Sequence, residues 1–144
     1  MIHETVERWN SYMKGELPGG LDELLDNDVI FYSPIVFTPQ HGKEITTLYL
    51  TAAAGVFPGD DQLQSSASSQ TQNSPFHYTK KTFGENSAIL EFETTMEGKY
   101  VNGVDIITCN DEGKIVEFRV MIRPLQAVNL VHEQMSRMLD QLNG

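Results

Sequence analysis

Apolar residues recur at intervals of three and four in several parts of the chain, which is the spacing of one face of an α-helix. In the first of these parts, Val6, Trp9 and Met13 follow acidic residues and stop at Gly15. They predict a helix of about three turns with Trp9 facing inward. The other predicted helices are a short one across Leu21–Leu25, one from near Lys43 to before Pro58, and one that opens at Pro124.

Runs of β-branched and aromatic residues bounded by turn residues predict strands. The first run, Val29–Ser33, ends at Pro34. Later runs are separated only by short turns, which is typical of an antiparallel meander: Phe76–Phe83, Ala88–Met96, Tyr100–Cys109 and Lys114–Arg123. We therefore expect an α+β domain in which a curved, mostly antiparallel sheet wraps around the N-terminal helices and is followed by a C-terminal helix.

Residues 59–75 separate the third helix from the meander and differ in composition. Between 59 and 74 there are five serines, four glutamines and almost no large apolar residue, as is typical of a mobile surface loop. A lid over a pocket is the alternative role for such a loop. The chain of 144 residues has the size of one compact domain, so residues 1–144 are expected to form a single domain.

Asp105 is the one carboxylate in Tyr100–Cys109, a run that otherwise has the composition of a buried strand. Carboxylates are rarely buried without a partner. Asp105 therefore either pairs with a cation, for which Arg119 and Arg123 on the next strand are candidates, or faces a cavity. In an apolar cavity the pKa of its carboxyl group would rise, and the protonated group could donate a hydrogen bond that polarises a carbonyl.

Charge and composition limit the binding partners and the cellular compartment that we expect. The chain has 20 acidic and 10 basic residues and a formal charge of −10, which repels nucleic-acid phosphates and anionic membrane surfaces. We expect neither nucleic acid nor membrane as a partner. No secretory signal or membrane-spanning run is visible, which favours a cytoplasmic protein. The single cysteine, Cys109, lies in an apolar strand and is predicted to be a buried structural residue.

The remaining motifs offer little further chemistry. The histidines are dispersed and lack the compact spacing of zinc ligands, so no metal is predicted: they are His3, His41, His77 and His132. No phosphate-binding loop or dinucleotide fingerprint is present, and no cofactor is expected. His41 could assist in proton transfer, but a histidine before a helix is more often a surface or capping residue.

Four segments in their order along the chain carry a resemblance to a known family: Asp28–Pro34, His41–Ile45, Val104–Ile107 and Asp111–Arg119. Together with the order of elements, they resemble the nuclear transport factor 2-like superfamily, particularly its SnoaL-like group, over nearly the whole chain. The resemblance implies a cone-shaped α+β barrel that encloses an apolar pocket. It also implies a homodimer that packs through the outer face of the sheet.

The superfamily includes ketosteroid isomerase, which uses a protonated aspartate, a tyrosine and a general-base aspartate. The protonated aspartate matches Asp105, while Trp9 lies in the place of the tyrosine and Ser33 in the place of the base. Serine without a neighbouring base cannot abstract a carbon-bound proton, so isomerisation by the same mechanism is disfavoured. In the related limonene epoxide hydrolases an acid lies where this chain has Val120, and polyketide cyclases also rely on an acid in the pocket, for which Asp105 is the candidate.

The resulting hypothesis is an apolar pocket with one acidic anchor, Asp105, for a small apolar ligand. Ser33 is expected to orient a polar group, and the predicted walls are Trp9, Phe31, Tyr49, Phe118 and Val120. The pocket could belong to an isomerase, cyclase or hydrolase that acts on an apolar carbonyl-bearing compound, with Asp105 as the catalytic residue. The alternatives are a non-catalytic ligand-binding domain and a dimerisation module.

Overall fold

The computed structural model describes residues 1–57 and 75–143. The predicted loop at 59–75 lies, apart from its last residue, outside the described residues. The elements in chain order are α1 (Ile2–Met13), α2 (Gly20–Leu24), β1 (Leu25–Tyr32), β2 (Gln40–His41), α3 (Lys43–Val56), β3 (His77–Phe83), β4 (Ser87–Met96), β5 (Lys99–Cys109), β6 (Ile115–Arg123) and α4 (Leu125–Asn143).

The predicted helices and strands are confirmed, with ends that differ by a few residues. Helix α1 buries Ile2, Val6 and Trp9 along one face and ends before Gly15, whose φ of +73° suits a residue without a side chain. Strand β1 begins earlier than predicted because Leu25, directly after α2, already has an extended backbone. Strand β2 was not predicted, since two residues are too few to show an alternating pattern.

The strands of the described residues form one sheet in the order β2-β1-β6-β5-β4-β3. Strands β1 and β6 run parallel, and all other neighbours are antiparallel, including the predicted meander from β3 to β6. The sheet is curved but does not close, so β2 and β3 are its edges. The predicted α+β class and the curved, mostly antiparallel sheet are confirmed.

The inner face of the sheet is the face against which α1, α3 and α4 pack, and it contains most of the core. On β5 this face carries Val101, Gly103, Asp105, Ile107 and Cys109, all buried. The burial of Cys109 agrees with its predicted structural role. Because side chains alternate along the strand, the same pleat that buries the apolar residues also places the Asp105 carboxyl group inside the molecule.

The outer face of the sheet carries most of the charges, and both arginines considered as partners of Asp105 lie there. Arg119 stacks 3.8 Å from the ring centre of Tyr32 and its Nε lies 3.6 Å from Oε1 of Glu117 on its own strand. Arg123 donates a hydrogen bond to Asn102. The possible pairing of these arginines with Asp105 is therefore wrong, because the two groups lie on opposite faces.

Apolar side chains also reach solvent on the outer face. Met121 is 51% exposed and Ile89 is 43% exposed, and Val104 lies beside Met121 in the register of β5 and β6. Packing of two copies through this face stays a prediction.

Gly103 provides a test of the close packing between β4, β5 and β6. A methyl group at this position would collide with the carbonyl oxygen of Met121 and lie 2.5 Å from Cζ of Phe92. Overpacking of this kind costs about 2 kcal/mol. We expect Gly103→Ala to lower the free energy of unfolding in urea by about that amount. The control is Gly84→Ala, whose methyl group would meet Ser87 Oγ at 3.3 Å; equal stability of the two variants would contradict this packing.

Candidate functional site

A cavity of about 960 Å³ lies between the inner face of the sheet and helices α1, α3 and α4. The residues predicted for the site come from separate parts of the chain, and all of them line this cavity: Trp9, Phe31, Ser33, Tyr49, Asp105, Phe118 and Val120. Their roles in binding or catalysis stay predictions.

Aromatic side chains form a large part of the cavity wall. The rings of Trp9 and Phe118 meet edge to face with their centres 4.9 Å apart, and Phe31 stacks on Tyr49 at 5.2 Å. A second group of rings, not predicted as part of the site, consists of Phe57, Phe76 and Phe92. Aromatic pairs in these arrangements give a rigid apolar surface.

Asp105 belongs to a short chain of hydrogen bonds that crosses the cavity wall. The Tyr78 hydroxyl donates to Oδ2 of Asp105 at 2.6 Å, and Trp9 Nε1 donates to the Tyr78 hydroxyl at 2.8 Å. Three elements meet in this chain, α1 through Trp9, β3 through Tyr78 and β5 through Asp105. Asp105 is only 6% exposed, and its hydrogen-bond partner in the described part of the chain, the Tyr78 hydroxyl, is uncharged.

The environment shifts the ionisation of both acidic groups. Burial raises the pKa of the Asp105 carboxyl group from 3.8 to about 7, although the hydrogen bond from Tyr78 favours the charged form and opposes the shift. Burial also raises the pKa of the Tyr78 hydroxyl well above its ordinary value, and the charge and hydrogen bond of Asp105 act in the same direction. Near pH 7 the tyrosine therefore remains a donor, while Asp105 is divided between a neutral donor and a charged acceptor.

The other polar residues considered from the sequence lie in different places. Ser33 Oγ accepts hydrogen bonds from the backbone N–H groups of Ile35 and Val36, at 3.0 and 3.1 Å, and so organises the turn after β1. His41 is exposed on the edge strand β2 and does not line the cavity. No group of three histidine, cysteine, aspartate or glutamate side chains within residues 1–57 and 75–143 is arranged to hold a metal ion. No helix in the same ranges is long and apolar enough to cross a membrane.

Comparison with solved structures reveals the same arrangement of helices and sheet in other proteins. A steroid delta-isomerase from Pseudomonas aeruginosa is 26% identical, with 98% of this chain and 93% of that chain covered and a TM-score of 0.81. A protein with a cystatin-like fold from Silicibacter pomeroyi is also 26% identical, with 94% and 85% covered and a TM-score of 0.75. An NTF2-like protein of unknown function from Mesorhizobium loti is 19% identical, with 85% and 91% covered and a TM-score of 0.59. The chain has the nuclear transport factor 2-like (NTF2-like) fold.

The resemblance inferred from the sequence is thus confirmed at the level of the fold. No protein-family model and no curated protein matches the sequence. The assignment of the NTF2-like fold therefore rests on the solved structures.

Tyr78 is the polar residue of this site that was not predicted from the sequence. The position that the resemblance assigned to a tyrosine is occupied by Trp9, which donates a hydrogen bond to the Tyr78 hydroxyl. A signal did exist, because Phe76 and Tyr78 are separated by one residue in the predicted strand Phe76–Phe83 and would share one of its faces. The distance from Tyr78 to Asp105 could not be predicted, since β4 lies between their strands and a register shift follows Tyr78.

The variant Asp105→Asn tests whether the pKa of the Asp105 carboxyl group is raised, because a raised pKa makes the free energy of unfolding depend on pH. The pKa rises from 3.8 to about 7 on folding, so between these pH values the folded protein holds a proton that the unfolded chain has released. This contribution to stability is complete below about pH 4 and is lost as the pH rises through 7. At 1.36 kcal/mol for each pKa unit, the loss is about 4 kcal/mol. We expect the unfolding free energy of the wild type to fall by that amount relative to Asp105→Asn over this range.

The measurement is urea unfolding of both proteins at a series of pH values. Asp111→Asn is the control, because Asp111 is an exposed turn residue and its substitution should leave the pH dependence unchanged. Parallel pH profiles for the wild type and Asp105→Asn would contradict the raised pKa.

Proposed function

We propose that this protein binds a small, mostly apolar molecule that carries a carbonyl group or a similar hydrogen-bond acceptor. The observation that supports this most directly is the buried Asp105 carboxyl group at the wall of an aromatic cavity, with the Tyr78 hydroxyl as its partner. In its neutral form Asp105 has an acidic hydrogen to donate. A ligand acceptor inside the cavity would satisfy that donor.

The character of the cavity favours an apolar body for the ligand. Its walls are mainly aromatic and aliphatic, and burial of apolar surface provides about 25 cal/mol for each Å² removed from water. A volume of about 960 Å³ is at the upper end of ordinary small-molecule sites. A molecule with several fused rings, or a comparably long chain, would fit this size better than a small metabolite.

Catalysis on such a compound is the second candidate function. The match to a steroid delta-isomerase extends over 98% of the chain at 26% identity, and this supports an isomerase more than a cyclase or hydrolase. A carboxyl group with a pKa of about 7 can accept a proton from carbon and return it elsewhere at neutral pH. A purely ligand-binding role is supported by Ser33, Trp9 and Val120, which offer no acid or base at the positions where related enzymes use one.

The binding proposal predicts a pH-dependent preference for a ketone. We would compare 2-acetylnaphthalene with 2-ethylnaphthalene, which has a similar apolar body but lacks the acceptor. Trp9 is the only tryptophan of the chain and lines the cavity, so quenching of its fluorescence measures binding. Below pH 7 we expect the ketone to bind more tightly than above it, by roughly tenfold, since one hydrogen bond from Asp105 is gained.

Two substitutions of Asp105 distinguish the contribution of its hydrogen-bond donor to binding from the contribution of the apolar cavity. Asp105→Asn keeps an N–H donor at every pH, so the ketone preference should no longer depend on pH. Asp105→Leu removes the donor, and the preference itself should disappear. Binding of 2-ethylnaphthalene should be unaffected by pH. A ketone that gains nothing over the hydrocarbon at any pH would refute the proposed role of Asp105.

The catalytic candidate makes a separate prediction. A β,γ-unsaturated ketosteroid would be converted to the conjugated enone, followed by the ultraviolet absorbance of the product, and Asp105→Asn would abolish turnover because the amide cannot carry the proton. Binding of the ketosteroid without any turnover in the wild type would exclude this reaction and leave the ligand-binding role.

A further inference from the structure

The charged residues that line the cavity are mainly basic, whereas the chain as a whole is acidic. The chain has twice as many acidic as basic residues, 20 against 10. Of the residues in ranges 1–57 and 75–143 that line the cavity, one is acidic, Asp105, whereas two are lysines, Lys14 and Lys81, and two are histidines. Both lysines are exposed, so they lie at the rim, where a cation can remain partly hydrated.

Lys81 is directed to the cavity side of the sheet by the register of its strand. It lies opposite Leu90, which is fully buried on the inner face. Its Nζ is 5.9 Å from the centre of the Tyr78 ring, the ring whose hydroxyl donates to Asp105. The preceding residue, Lys80, lies opposite Glu91 and therefore belongs to the outer face.

Lys14 lines the cavity directly after the end of helix α1. It follows Met13, whose sulfur lies 3.7 Å from the Tyr78 hydroxyl. Neither Lys14 nor Lys81 forms an ion pair with a carboxylate in the described part of the chain, where the pairs involve other cations. Two lysines without such partners therefore line the rim of an apolar cavity, and one of them, Lys81, lies beside the Tyr78 ring.

From this arrangement we propose that the ligand is an amphipathic anion: an apolar body with a carboxylate, sulfonate or phosphate group that Lys14 and Lys81 hold at the rim. This deepens the proposed function and rests on it. In a protein of charge −10, cations at the rim would offset the repulsion that an anionic ligand otherwise meets. Neutral Asp105, deeper in the cavity, does not repel such a ligand and can still donate to an acceptor on its body.

The test uses two fluorescent probes with the same apolar body. 8-Anilinonaphthalene-1-sulfonate carries an anionic group, and N-phenyl-1-naphthylamine does not. In the double variant Lys14→Gln/Lys81→Gln we expect the affinity for the sulfonate to fall about fivefold to tenfold, while the affinity for the neutral probe changes less than about twofold. Added salt should weaken binding of the sulfonate to the wild type and have little effect on the double variant.

Lys80→Gln is the matched control, because it removes the same charge from the neighbouring position on the opposite face. It should leave both affinities unchanged. If the neutral probe binds and the sulfonate affinity is the same in the wild type and the double variant, the anion site is refuted while the apolar cavity stands. If neither probe binds the wild type, the proposed ligand-binding function itself fails. Circular dichroism establishes that all variants fold.

Discussion

The hydrogen bond from Tyr78 to Asp105 is the interaction on which the site depends, because it is what makes a carboxyl group tolerable inside an aromatic wall. Without a partner, the buried charge would carry a large desolvation cost. A neutral hydroxyl at 2.6 Å reduces that cost without removing it. The pKa of Asp105 consequently lies near 7, between the low value that an arginine partner would produce and the high value expected for an unpartnered buried acid.

In the described part of the chain, Asp105 has no arginine partner because the sheet places the two kinds of charge on opposite faces. Strand alternation directs Arg119 and Arg123 outward, to Glu117 and Asn102, and directs Asp105 inward. The helices then cover the inner face with apolar and aromatic residues, so water is largely removed from the carboxyl group. A one-residue change of register on β5 would exchange these faces and bring Asp105 to the arginine side. The chemistry of the site is thus a consequence of strand register as much as of residue identity.

Tyr78 changes the picture of the site that the family resemblance implied. The sequence suggested that Asp105 had lost its tyrosine, since Trp9 occupies the expected place. The structure provides a phenolic hydroxyl from β3 instead, held by the Trp9 indole N–H. This arrangement directs the tyrosine hydrogen to Asp105 and leaves the proton of Asp105 as the group that can be offered to a ligand. Among the described residues, Asp105 therefore gives the cavity wall a donor that loses its proton near neutral pH.

The amino-acid sequence by itself determined the order of the elements, the α+β class and the family resemblance, because these depend on periodicity and turn residues that are local along the chain. It also identified Asp105 and the aromatic residues around it, since a lone carboxylate in an apolar strand is visible without a structure. Only the tertiary structure decided which groups meet that carboxylate. Tyr78 and Asp105 are 27 residues apart and lie on strands that are not neighbours. Their contact depends on the curvature of the sheet, on the register shift after Tyr78 and on the packing of α1 against both residues. None of these features leaves a periodic pattern in the sequence.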